Sequence, residues 1–121
     1  MFKQNNAREF IVEEITRDGI ILEVDKAISF PSVELTKDFF CVFVLQKTNW
    51  NTMQAITEVS RRLRVKPNRL SFAGTKDRTA VTTQLVSCFA LEPHRISSLS
   101  IKDVSINGVW VSDKKIGLGD L

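Results

Sequence analysis

Residues 39–73, FFCVFVLQKTNWNTMQAITEVSRRLRVKPNRLSFA, carry the strongest secondary-structure pattern in the chain. Phe39 to Gln46 is nearly all apolar and β-prone, as a central strand covered on both faces would be. Lys47 to Thr52 breaks the run, and Asn51 or Thr52 suits a helix N-cap. From Thr52 to Val65, Met53, Ile56, Val59 and Leu63 recur at near-helical spacing and give one apolar stripe. Arg61, Arg62 and Arg64 crowd the C-terminal end of that helix, where cations complement its dipole. Pro67 stops it. Leu70-Ser71-Phe72-Ala73 then reads as a short buried strand. This spacing predicts a β-α-β unit whose right-handed crossover pairs the two strands in parallel.

Working outward, residues 1–8 are polar. Glu9 to Thr16 alternates, with Phe10, Val12 and Ile15 predicted inward and Glu13 and Glu14 outward. Asp18-Gly19 signals a turn, and Ile20 to Val24 reads as the return strand of a hairpin over residues 9–24. Ala27 to Asp38, marked by Pro31, is a connection. On the other side, Ala80 to Val86 is rich in β-branched residues and runs on through Leu91 as one long strand. Glu92 to Ser98 reads as a helical turn, and Ile101 to Val111 as a strand interrupted at Asn107-Gly108. The expected class is α+β: a mixed β-sheet with a β-α-β unit and an N-terminal hairpin.

At 121 residues, 43% hydrophobic and 26% charged, the chain has the size and composition of one globular domain. It has no apolar run of membrane-spanning length and no signal-peptide pattern, so a cytoplasmic location and no membrane partner are expected. Cys41 and Cys88 are far apart in sequence, form no CxxC motif and read as buried free thiols. With His94 the single histidine, no metal site is expected. The net charge of +3 is unevenly spread. Residues 1–40 hold five basic and eight acidic side chains, whereas residues 61–78 hold seven basic ones (Arg61, Arg62, Arg64, Lys66, Arg69, Lys76 and Arg78) against Asp77 alone. Such a run is either a solvated helix face or the footprint of a polyanion.

The segment joining the two strands of residues 70–91 holds the candidate chemistry. In Gly74-Thr75-Lys76-Asp77-Arg78 one carboxylate stands between two cations in a turn at a strand end, where scaffolds present reactive groups. The flanking cations favour its ionised form, suited to a nucleophile or general base. The same cations would hold an RNA backbone. Spacing alone also admits a plain solvated turn. A P-loop is excluded because Asp follows the Lys, and no GxGxxG is present.

Phe72 to Gln84, FAGTKDRTAVTTQ, resembles the F-A-G-x-K-D-[RK]-x-A-V-T-x-Q signature of the TruD family of pseudouridine synthases at every specified position. The resemblance implies that Asp77 is the catalytic carboxylate of a cofactor-free isomerisation of uridine to pseudouridine in RNA, best known at tRNA uridine 13. Lys76, Arg78, Arg61, Arg62, Arg64, Lys66 and Arg69 are then the expected contacts to tRNA or another structured RNA. Phe10-x-Val12-x-Glu14 is similar to the element that opens the family's domain. Lys3 stands one residue further from it than the family's basic residue does. The corner Lys47-x-x-Trp50-x-Thr52 also resembles the family, especially its archaeal and eukaryotic branches. Trp50 and Asn51 read there as a packed indole and a cap in preference to RNA contacts.

Ile116 to Leu121 resembles the approach to the family's G-N-x-F element, whose Phe packs against the target base. The resemblance therefore implies that residues 1–121 are the N-terminal portion of a pseudouridine synthase catalytic domain, cut before that element. An incomplete domain would be inactive by itself and would expose a sheet edge that invites self-association. The alternative is a non-catalytic RNA-binding α/β module, although no RNP-like aromatic pattern is visible on a strand.

Overall fold

The computed structural model describes residues 11–34, 38–73 and 81–116. Its elements are β1 (Ile11–Glu13), β2 (Phe40–Thr48), α1 (Thr52–Leu63), a 3-10 turn (Pro67–Arg69), β3 (Leu70–Phe72), β4 (Val81–Phe89), α2 (Pro93–Ser97) and β5 (Val104–Ser112). The class is the expected α+β with a mixed sheet. The sheet runs β1-β4-β2-β5, with β3 also paired to β4. Only β1 lies parallel to its neighbour.

The apolar run makes β2 the centre of the sheet. It pairs antiparallel with β4 on one side and β5 on the other, and Cys41 to Lys47 are buried without interruption. Side chains alternate across it. Cys41, Phe43 and Leu45 meet Ala55, Ile56, Val59 and Leu63 of α1 and Ile96 of α2 in the main core. Val42 and Val44 point the other way, onto Leu22, Ile28, Phe30 and Trp110. Phe30 and Trp110 pack edge to face at 4.7 Å. The helices cover one face of the sheet, and Leu22, Ile28 and Phe30, the last two from the expected connection, pack on the other.

The strand–helix–strand unit is present but split. β3 does not pair with β2; β4 lies between them, antiparallel to both. The two strands share a direction, as a crossover demands, yet β4 takes the neighbouring place. Pairing at registers Phe40↔Phe89 to Thr48↔Val81 gives β2 a nine-residue ladder that the three residues of β3 cannot offer. From β2 onward the order is β-α-β-β-α-β, the ferredoxin-like arrangement.

Among the described residues, the N-terminal hairpin reduces to one bridge, Ile15↔Ile21, closed by Thr16 N donating to Ile20 O at 2.8 Å. β1 instead pairs with β4. The predicted sidedness is reversed: Ile11, Val12 and Ile15 are exposed, whereas both glutamates turn inward. Glu13 Oε2 accepts from Val24 N at 2.8 Å, and Glu14 Oε1 from Leu85 N at 2.7 Å. These carboxylates hold backbone amides that the truncated ladder leaves over. Phe10 and Lys3 lie outside the described residues.

α1 matches the sequence closely. Asn51 is the N-cap, with its side chain on Gln54 N at 2.8 Å in a reciprocal capping box. The helix ends on Arg64 in the left-handed conformation, ahead of Pro67. Met53 is exposed, and Thr52 and Ser60 take places on the buried face. The break expected at Asn107-Gly108 is a β-bulge: Val44 faces Gly108 and Leu45 faces Ile106, leaving Asn107 unmatched. Cys41 and Cys88 are free, fully buried and directly opposite each other in register.

Candidate functional site

Lys76, Asp77 and Arg78 lie outside the described residues. The described chain stops at Ala73, one residue past β3, and resumes at Val81, the first residue of β4, and both of these residues are buried. Around those anchors stand the first half of β4, the C-terminal end of β2 and the N-terminal end of α1.

That end of the sheet holds a polar bed inside an apolar core. Lys47, fully buried, follows Leu45 on the helix side of β2, and its Nζ donates to Thr82 Oγ1 at 2.5 Å. Gln84 is two residues along β4 from Thr82. Its Oε1 accepts from Thr52 Oγ1 at 3.2 Å, and its Nε2 donates to Ala73 O at 3.5 Å. One side chain therefore ties the helix start to the strand end from which the candidate segment departs. Across the sheet, Gln46 is held from two sides. Its Nε2 donates to Asp25 Oδ1 at 2.8 Å, and its Oε1 accepts from Asn107 Nδ2 at 2.8 Å and Asp25 N at 2.6 Å. Thr83 Oγ1 donates to Leu22 O. Buried polar groups cost several kcal/mol when left without partners, on the order of 2–7 each. A satisfied network is therefore a way to fix geometry, here at Ala73 and Val81, the residues that flank the candidate segment.

Sequence reasoning missed Lys47, Thr82 and the side chain of Thr52 as members of this bed. The available signal was chemical: Gln46-Lys47 continues the apolar run of β2 directly, and Thr82 to Gln84 opens a long strand with polar residues.

Among the described residues, the basic candidates Arg61, Arg62, Arg64, Lys66 and Arg69 do not gather around that end. Arg61 lies nine residues after Thr52, about 14 Å along α1 at 1.5 Å per residue. Arg69 sits at the far end of β4, where its Nε and Nη2 donate to Phe89 O at 3.1 and 2.6 Å and Nη2 to Ala90 O at 3.2 Å. Eight residue steps separate Val81 from Phe89, roughly 27 Å in an extended strand. The described part of the expected basic footprint, Arg61 to Arg69, is thus drawn out along the molecule. Several of its members have structural employment. Arg61 Nη2 and Arg62 Nε both bind Glu58 Oε2, at 2.6 and 2.8 Å, and Arg62 Nη1 donates to Ser100 O at 2.8 Å. The hydrogen bonds from Arg61 and Arg62 hold the Glu58 carboxyl below its usual range. Arg64 and Lys66 are exposed.

The remaining candidates resolve simply. Trp50 donates from Nε1 to Lys102 O at 3.1 Å and packs against the main core, as the structural reading held. His94 is exposed at the start of α2. Burial, and secondarily Cys88, pushes the Cys41 thiol up to about 12. Among the described residues no group of His, Cys, Asp and Glu is placed to hold a metal, and no helix is long and apolar enough to cross a membrane.

A family model described as tRNA pseudouridine synthase D (TruD) matches residues 2–121. A probable tRNA pseudouridine synthase D of Methanococcus maripaludis strain C5 is 47% identical over 113 residues, 93% of this chain and 29% of the relative. A probable tRNA pseudouridine synthase D 1 of Methanocaldococcus jannaschii is 43% identical with the same coverage. The crystal structure of a Methanosarcina mazei protein bearing the name tRNA pseudouridine synthase D superposes with a TM-score of 0.71 at 33% identity. It covers 97% of this chain and 24% of the other. The chain thus spans less than a third of the length of these relatives.

Proposed function

Because the chain belongs to the tRNA pseudouridine synthase D (TruD) family, we propose that residues 1–121 form the N-terminal portion of an RNA-uridine isomerase catalytic domain. Its substrate is tRNA, at uridine 13, and its catalytic carboxylate is Asp77. The observation that carries this reading is the unbroken run Phe72–Gln84, whose two ends are anchored over the buried bed of Lys47, Thr52, Thr82 and Gln84. Such a bed supplies what a catalytic turn needs, a fixed base that does not yield when substrate binds. The adjoining cations favour an ionised Asp77 at neutral pH.

In the reaction the bond between ribose C1′ and uracil N1 breaks, the base turns, and C1′ bonds to C5. A proton leaves C5 and N1 ends protonated. Atoms and electrons balance within the substrate, so no cofactor is required. The target base must leave its stack, at a cost of a few kcal/mol, before Asp77 reaches it. Lys76 and Arg78 orient the carboxylate or contact phosphates. The basic residues from Arg61 to Arg69 supply the salt-sensitive grip on the folded RNA. Location is cytoplasmic, with tRNA. Any self-association would use the β1 side of the sheet, since the outer edge of β5 already takes Ile28 N on Asn107 O and Val33 N on Val111 O.

A tRNA transcript is incubated with this chain and with its Asp77→Ala variant, and pseudouridine is quantified. The same substitution is made in a full-length relative. Loss of product with the variant relative supports the assignment. A relative that keeps turning over without the carboxylate refutes it. One observation favours RNA binding as such: the ferredoxin-like order of β2 to β5 leaves aromatic side chains at the end of its two central strands.

A further inference from the structure

We propose that the groove at the Phe40–Phe89 end of the sheet binds one unpaired RNA nucleotide, its base stacked on Phe89 and its phosphate held by Lys115 and Arg69. The proposal rests on the reading that the partner is RNA, and it is independent of any catalytic role for Asp77. The groove has a volume of about 310 Å³ and is lined by Phe40, Asn68, Arg69, Ser71, Phe89 and Lys115. That is near the lower limit of small-ligand pockets, roughly 300–1,000 Å³, and suits a single base better than a larger ligand.

The two aromatics reach this place by register. Phe40 opens β2 and Phe89 closes β4, and the two are directly opposite in the ladder. Cys41 and Cys88, one step inward, turn toward the helices. Strand alternation therefore sends Phe40 and Phe89 to the other face. Their rings meet edge to face at 5.3 Å and 60°, which holds Phe89 in one orientation. Phe89 is 39% exposed. Aromatics on the two central strands of a four-stranded sheet, on the face away from the helices, are the stacking platform of RNA-recognition domains. The pairing is invisible in sequence because the two residues are 49 positions apart and join only through the β2–β4 register.

The charge around the groove matches a phosphate. Among the described residues, no acidic one lines it. Lys115 is exposed at its rim, with Lys114 beside it and Lys66 a short way before Asn68. Arg69 is fixed by its bonds to Phe89 O and Ala90 O, so its guanidinium is already ordered in a groove that Phe89 also lines. Its Nη1 makes no hydrogen bond among the described residues. Asp38, Asp113 and Glu92 are the nearest acidic residues in sequence, and all three are exposed. An acidic peptide would satisfy the cations and leave the ring unused, whereas a nucleotide uses both.

The test is fluorescence anisotropy with a labelled oligouridylate of about eight nucleotides, within the ~4–16 typical of single-strand sites. Phe89→Leu keeps an apolar residue and so preserves the fold while removing the stacking face. It is expected to weaken binding about tenfold, within the range found when a stacked base loses its aromatic partner. Lys115→Gln is expected to lower the slope of log affinity against log salt by about 0.7. Lys26→Gln, beside Glu23, serves as the control and is expected to leave both unchanged. With a blunt RNA duplex in place of the single strand, Phe89→Leu should have no effect. Unchanged affinity of Phe89→Leu for the single strand overturns the proposal, as does an oligouridylate that fails to bind. Failure of the pseudouridine assay bears on Asp77 alone.

Discussion

Replacing Gly108 with alanine probes how the segment before β2 is fastened to the sheet. Gly108 lies beside the bulged Asn107, where β5 crosses Val44 of β2. A Cβ built there would penetrate the carbonyl oxygen of Ile28 and stand 3.0 Å from Ile28 Cγ2. The obstacle is backbone, so no rotamer change relieves it. Either β5 shifts against β2, or the Ile28 segment lifts away and stretches its 2.7 Å hydrogen bond from Ile28 N to Asn107 O. Overpacking costs about 1–3 kcal/mol, and a weakened backbone hydrogen bond adds about 1 kcal/mol. The expected destabilisation is therefore about 2–4 kcal/mol, a Tm lowered by roughly 8–16 °C for a domain of this size. Urea unfolding followed by Trp fluorescence measures it, because Trp110 packs under the same segment. The midpoint should fall with little change in slope. A loss below about 0.5 kcal/mol, the range of neutral surface changes, would show that the close approach is not a constraint and that the segment is loosely laid.

Three other outcomes follow from the same geometry. Asn51→Ala removes the cap on Gln54 N and should cost about 1 kcal/mol, read by chemical denaturation. Arg69→Ala deletes the donors on Phe89 O and Ala90 O and is expected to cost about 1–2 kcal/mol, with Arg64→Ala, exposed, as the near-neutral comparison. Cys41 has its thiol raised by burial from 9.0 to about 12, so the folded state keeps a proton that the unfolded state loses. That contribution to stability is complete below pH 9 and is lost as pH rises toward 12. Stability should accordingly fall through that window in the parent and fall less in Cys41→Ala, and iodoacetamide should leave both thiols unmodified near neutral pH until the protein unfolds.

Much of this molecule is written in short-range pattern. The uninterrupted apolar, β-prone run of Cys41 to Leu45 reads as a strand covered on both faces, and the period of Ile56, Val59 and Leu63 as the buried side of a helix capped at Asn51 or Thr52; the structure has both, with Asn51 as the cap. The signature Phe72–Gln84 likewise needs no fold to be recognised. Each of these follows from residues within a few positions of one another, whose spacing is set by helix and strand geometry.

What required the folded chain was every relation set by non-local pairing. The spacing predicts parallel adjacency of β2 and β3, but the longer ladder with β4 takes that place. Glu13 and Glu14 turned inward because stranded backbone amides of Val24 and Leu85 needed acceptors, a demand that no alternation of polarity encodes. The described part of the basic run, Arg61 to Arg69, is spread along the fold, because α1 carries its C-terminal end away from Ala73 and Val81. The same folding brings together groups that sequence keeps apart: Lys47 with Thr82, Thr52 with Gln84, and Phe40 with Phe89. Hydrogen-bond ladders join residues tens of positions apart, and only the register of those ladders decides which side chains share a site.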